Sequence, residues 1–217
     1  MNDSASLRLA ELLAARVCHD LIGPVGAIAN GAELLAEESG RPDPEVVGLI
    51  GGSARAASRR LQFFRAAFGT ANALSSGRPL AEARALALGL IEEGGRIGLE
   101  FPSPEPPLEA RAGRAAVKTL LNLVLIALES LPRGGSVRVD VTEEGTAGIV
   151  IAIACDGPQA RLADEIRAAL AGDAAEPSPR TVPAHLLRML ASGAGGRITV
   201  AQQGDTVRLT ATFPAAR

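Results

Sequence analysis

The chain has no tryptophan, no tyrosine and five phenylalanines among 217 residues, so any core it builds must be aliphatic. With 47% hydrophobic residues that core can still be large. Two cysteines, Cys18 and Cys155, lie far apart and offer neither a disulfide framework nor a metal-knuckle spacing. The only histidines are His19 and His185, too few for a zinc cluster, and no metal ligand set is expected. Positive charge is not in excess: the net charge is −2, which supplies no general pull toward nucleic acid or an anionic membrane. Residues 1–20 lack a basic segment followed by an apolar core, so no secretory signal is expected. Gly, Arg, Glu or Pro interrupts every apolar run short of the ~20 residues of a membrane-spanning helix. These absences predict a soluble, cytoplasmic chain with no nucleic-acid or membrane partner.

What is present divides into two patterns. From Ser6 to Glu38, Leu9, Leu13, Val17, Leu21, Pro24, Ile28 and Leu35 recur mostly three, four or seven apart, one apolar stripe of a helix. "SGRPDPE" (39–45) is a turn. A second helix follows, with Val46, Leu49, Ile50, Leu61, Phe64 and Phe68 on one side, Arg55, Arg59, Arg60 and Arg65 elsewhere, and Gly69 ending it. Such a hairpin is too thin to bury its stripe alone; two copies together make a four-helix bundle, so a homodimer is expected. Beyond about residue 77 helices alternate with hairpins. Residues 80–93, 113–132 and 182–192 read as helices, with a polar one near 160–171. "RIGLEF" (96–101) reads as a strand before a Pro-rich turn. Residues 134–157 and 195–213 read as strand pairs, the first turning at Glu144-Gly145. The fold class is α+β, one sheet covered by helices, with domains at 1–75 and 76–217.

The stretch "CHDLIGPVGAI" (18–28) carries the chemistry. At about 100° per residue His19 points nearly opposite the apolar stripe, in a column with Leu12, Ala15, Gly23, Gly26 and Asn30. Each interior helical Gly costs about 1 kcal/mol relative to Ala. Two readings follow: a macromolecule approaches the helix closely there and needs the histidine uncovered, or the surface is incidental. Imidazole, with an ordinary pKa of about 6.5, is a competent nucleophile near neutrality. Asp20 beside it can orient the ring or hold the proton on the nitrogen that does not attack. Pro24 removes a backbone hydrogen bond one turn on. Cys18 reads as structural.

"HDLIGPVGAI" resembles the phosphoacceptor box of sensor histidine kinases, in which a His is followed by an acid and, four positions after that acid, by Pro; His19, Asp20 and Pro24 match it. "LLNLVLIALESLPRGGSVRVDV" is similar to the kinase N-box helix and its strand, and "HLLRMLASGAGGRITV" to the helix and strand after the nucleotide lid. The departures fall at ATP-binding positions. Asn122 is followed four residues later by Ile126, which cannot ligate magnesium. Asp156 opens "DGPQA", where Pro158 and Ala160 stand for glycines. The lid Gly-x-Gly aligns with Thr181, Val182 and Pro183, and proline supplies no N–H to a phosphate. Read without the resemblance, Asn122 is a polar helix residue, Asp156 a strand-end residue, Gly195-Gly196 a hairpin turn, and His185 a packed residue rather than a second acceptor.

The combination resembles the ChpT-type histidine phosphotransferases, and "ASRRLQFFRAAFG" (57–69) is similar to their second helix. The resemblance implies a homodimer with a degenerate ATPase-like (Bergerat) domain in a bacterial cell-cycle phosphorelay. His19 would accept a phosphoryl group from the receiver domain of a hybrid histidine kinase and pass it to response-regulator aspartates. Asp20 would orient the ring, while Ala15, Gly23, Gly26, Arg59 and Arg60 would meet the partner. No ATP is expected, and Mg²⁺ comes with the receiver. Gly23 replaces the Thr or Asn that orients water in kinases that dephosphorylate their regulators, so reversible transfer without accelerated hydrolysis is expected. The rival readings are an ATP-dependent histidine kinase and a non-catalytic adaptor for receiver domains.

Overall fold

The computed structural model describes residues 3–37, 40–69, 78–91, 95–144, 148–173 and 176–214. Helices α1 (Asp3–Glu37) and α2 (Pro44–Phe68) form the hairpin. The start of α2 follows from its sequence: the Asp43 side chain accepts from the Glu45 N–H at 2.8 Å, and Pro44 fills the first turn, where its missing N–H costs nothing. Every stripe residue from Leu9 to Leu35 is at least partly buried. The two helices approach closely at Gly31, where an added Cβ would lie 2.6 Å from the Ile50 side chain.

Several expectations need correction here. Leu49 and Leu61 are 52% and 51% exposed; Phe64 is buried as expected, but beside it α2 turns Ala56, Ala57, Phe63, Ala66 and Ala67 inward. Leu12, placed in the solvent-facing column of His19, is buried. The helical wheels assumed one neighbour per helix, whereas α2 also packs on two helices of the second half and α1 reaches a third. An 18-residue window within Ser4–Glu37 reaches a mean hydropathy of 1.4, so by length and composition α1 is apolar enough to cross a membrane. Glycine and proline carry no charge and lower that mean only slightly, which is why they failed as interruptions.

The second half consists of α3 (Pro79–Ile91), β1 (Ile97–Glu100), α4 (Pro106–Arg111), α5 (Arg114–Glu129), β2 (Gly135–Glu144), β3 (Gly148–Asp156), α6 (Asp164–Ala171), α7 (Val182–Gly193), β4 (Arg197–Gln203) and β5 (Thr206–Phe213). The sheet order is β1-β2-β3-β5-β4. Its pairs are antiparallel apart from β1 with β2, whose helical crossover makes them parallel. The Pro-rich turn after β1 contains α4, because Pro106 and Pro107 are tolerated in a first helical turn. Gly195-Gly196 joins α7 to β4 rather than two strands. The expected turn at 144–145 and the domain boundary at 75/76 fall at least partly outside the described residues.

Along β3, Ile149, Ile151, Ile153 and Cys155 alternate inward against α5. Helix α5 is buried continuously from Ala116 to Ala127, with Lys118, Thr119 and Asn122 among its apolar residues. One core runs from Phe63 and Phe64 of α2 through Leu80, Leu120 and Leu123 to Ile153 and Leu209. At its hairpin end α5 presents three polar side chains one turn apart. Asn122 Nδ2 donates to the Ala67 carbonyl at 3.3 Å, Lys118 Nζ to Phe68 at 3.2 Å and an Arg114 nitrogen to Gly69 at 3.2 Å. They satisfy carbonyls that the end of α2 leaves without helical partners. Burial, then repulsion from Arg114, holds the Lys118 ammonium below its ordinary pKa.

Candidate functional site

His19 stands midway along α1 with 84% of its side chain exposed. Ala15 is exposed beside it, and a Cβ added at Gly23 or Gly26 would meet nothing within 4 Å. The small residues therefore leave an open approach, as the sequence suggested. Ile22, 75% exposed, adds an apolar patch to the same surface.

His19 Nδ1 lies 3.0 Å from Asp20 Oδ1. An ionised carboxylate only accepts, so the contact places the ring proton on Nδ1 and leaves the Nε2 lone pair directed outward. Asp20 is held in turn. Arg16 Nε donates to its Oδ2 at 2.8 Å, one helical turn back, and Arg60 Nη1 donates to its main-chain carbonyl at 2.6 Å. Arg16 also reaches Glu129, the last residue of α5, at 2.6 Å. Burial works against the Arg16 charge, but attraction to Glu129 and the bonds with Asp20 prevail and raise its pKa above the ordinary arginine value. Arg180 approaches Glu129 at 3.6 Å and pairs with Glu165 at 2.7 Å. A cleft of about 390 Å³ opens at this junction, lined among others by Arg16, Asp20, Arg60, Arg96 and Glu129.

Of the predicted site residues, the structure brings His19, Asp20, Ala15, Gly23 and Gly26 to one region. Arg59 and Arg60, expected to meet the partner, stand less open than the His19 face. Both are partly buried; Arg60 is engaged by Asp20, and Arg59 lays its side-chain carbons along Gly89 of α3. The reason is the packing of α2 against α3, which covers that side. Cys18, expected to be structural, is exposed. Cys155 is buried, and burial followed by the Asp156 charge pushes its thiol up to about 12, which makes it unreactive. Sequence reasoning missed Arg16 and Glu129. The four-residue spacing of Arg16 and Asp20 was legible; the 113-residue separation from Glu129 was not.

In the kinase-like half, the Asn122 amide turns into the core, donating to the Ala67 and Lys118 carbonyls, and Ile126 beside it is buried. Asp156 accepts from Thr206 Oγ1 at 2.5 Å. Gln159 has φ +60° between Pro158 and the buried Ala160. Thr181, Val182 and Pro183 are buried where α7 begins, and His185 is packed one turn on. Among the described residues no three His, Cys, Asp or Glu side chains gather in a way that could hold a metal ion.

Comparison with known proteins now adds to this geometry. The family model for the histidine phosphotransferase C-terminal domain matches residues 80–206. The protein phosphotransferase ChpT of Brucella abortus (strain 2308) is 40% identical over 141 residues, 62% of this chain and 61% of that protein's length. A solved structure of a bacterial phosphotransferase superposes with a TM-score of 0.79 at 32% identity, covering 94% of this chain and 96% of that one. The Acinetobacter baumannii histidine kinase AdeS, at 12% identity, shares the fold with a TM-score of 0.51 over 92% of this chain and 98% of its own.

Proposed function

The chain belongs to the histidine phosphotransferase family, and from that premise we propose that it is a phosphorelay intermediate whose acceptor is His19. It takes a phosphoryl group from the aspartyl phosphate of a hybrid kinase's receiver domain and returns it to the aspartates of response regulators. The observation that carries this reading is the ring itself: widely exposed, with Nδ1 held at 3.0 Å from the Asp20 carboxylate and small residues around it. Phosphoryl transfer needs positioning and charge neutralisation more than covalent machinery from the protein. The receiver contributes Mg²⁺ and its own carboxylates; this chain contributes an oriented nucleophile.

Transfer without ATP is supported by what occupies the kinase positions. Asn122 is committed to the core, Ile126 offers no oxygen, and Pro158 and Pro183 remove N–H groups a triphosphate would use. The homodimer is supported by Leu7 and Val25, exposed apolar residues that fall on one face of α1, with Val47 and Leu61 exposed on α2. A second copy covering that face would leave a soluble protein, and a cytoplasmic one is what the resemblance implies. Residues 1–75 then form the dimerisation and transfer unit and 76–217 the ATPase-like unit, acting in a cell-cycle relay as the resemblance implies.

The test is direct. Incubation with a phosphorylated receiver and Mg²⁺ is expected to give acid-labile, base-stable label on the wild type and none on His19→Ala. ATP and Mg²⁺ alone are expected to leave the protein unlabelled. Label from ATP alone would restore the kinase reading, and a wild type that binds the receiver without accepting label would favour the adaptor.

A further inference from the structure

We propose that Arg16 is a positioning residue, through which Glu129 of the ATPase-like half holds Asp20 against His19. This rests on the reading of His19 as phosphoacceptor and deepens it, by giving the half that departs from the kinase pattern a working part in the transfer.

The geometry is a chain of four side chains. His19 Nδ1 meets Asp20 Oδ1 at 3.0 Å, Asp20 Oδ2 accepts from Arg16 Nε at 2.8 Å, and Arg16 Nη1 pairs with Glu129 at 2.6 Å. His19 is open to water, whereas the side chains of Asp20, Arg16 and Glu129 are only 19%, 13% and 19% exposed. An exposed ion pair contributes little and orients little. This one is screened from solvent, and its planar guanidinium bridges two carboxylates with fixed angles, which is what arginine does better than lysine. A free Asp20 would rotate between Arg16 and solvent. With Oδ2 occupied by Arg16 and the main-chain carbonyl by Arg60, only Oδ1 is left to face the ring. Glu129 fixes the other end of the guanidinium, and as the last residue of α5 it is anchored on the most buried helix of the molecule.

The consequence for the reaction can be written atom by atom. The Nε2 lone pair attacks phosphorus, an N–P bond forms, the P–O bond to the receiver's aspartate breaks, and its electron pair returns to that carboxylate. Nδ1 keeps its proton throughout, so the phosphorylated ring carries positive charge beside Asp20. In the return step the N–P electrons go back to Nε2, leaving the neutral ring in its starting tautomer. A ring that lost the Nδ1–H contact would present Nε2 protonated in part of the population, and that fraction cannot attack.

The experiment compares wild type, Arg16→Met, Glu129→Gln, the double variant and Arg8→Ala, whose exposed partner is Glu11. Nitrogen-resolved NMR of the imidazole reads the tautomer in the unphosphorylated protein, and label from a phosphorylated receiver reads transfer. In Arg16→Met the ring is expected to leave the Nδ1–H form for a mixture of tautomers, with transfer slowed by up to about 100-fold. Glu129→Gln should move both readouts the same way by less. The double variant should be no worse than Arg16→Met alone, because the two act in series, and Arg8→Ala should match wild type. If Arg16→Met does not fold, Glu129→Gln, which keeps the side-chain shape, decides the matter. Folded variants with an unchanged tautomer and unchanged transfer would overturn the proposal. A wild type that takes no label would instead count against the proposed function, while the tautomer readout would still judge the positioning role.

Discussion

Gly23 stands one turn beyond His19, and a side chain there would meet nothing. It has no group that could orient a water on a docked receiver. His19→Ala, added to a phosphorylated receiver, is therefore expected to release inorganic phosphate no faster than the receiver alone; an accelerated release would show a hydrolytic route through some other residue. The second histidine behaves differently. Burial, then the Arg188 charge, lowers the His185 pKa below its ordinary range. Between the ordinary value near 6.5 and the lower folded value, the unfolded chain binds the proton and the folded chain does not, so stability falls as pH drops through that window. Thermal unfolding at pH 7.5 and 5.5 should show a loss at the lower pH that shrinks in His185→Gln. An equal loss in both proteins would remove His185 from the account.

At the scale of elements, α2 joins the two halves. One side meets α1, while Phe63 and Phe64, packed edge to face at 6.1 Å, enter the core shared with α3 and α5. Three donors of α5 close the carbonyls at its end. Phe63→Ala removes a fully buried ring and is expected to cost about 3–5 kcal/mol. Because the core is continuous, denaturant unfolding should remain one transition shifted to lower midpoint, the same by fluorescence of an attached dye on either half and by circular dichroism. Two separated transitions would mean that the hairpin and the sheet unfold independently. The wheel of α2 was misread at Leu49 and Leu61 because a helix with three neighbours has no single buried stripe to find.

Taken whole, the molecule leaves much of its longest described helix uncovered: only 6% of the apolar window of α1 is buried within the chain. A second copy packed on Leu7, Val25 and Leu61 would cover it. Val25→Glu combined with Leu61→Glu is expected to halve the sedimenting mass while leaving the helical signal in place. A wild type that already sediments as a single chain would rule the bundle out. The arrangement also explains how a histidine can stay exposed on so apolar a helix. Val17, two residues before it, packs against the core and Leu21, two residues after it, is partly buried, so the ring stands on the open side of the helix.

The residues themselves determined the hairpin, the α+β class and the His-Asp pair on an open face, because each is local. A stripe repeats every three or four positions, Asp43-Pro44 starts a helix, and a His-Asp pair sits on the face of small residues. Only the tertiary structure decided that β1 runs parallel to β2, that Arg59 and Arg60 are covered, and that Glu129 closes on Arg16. Those facts depend on which surfaces meet across a hundred residues or more. Periodicity within one helix carries no record of what the next layer will place against it.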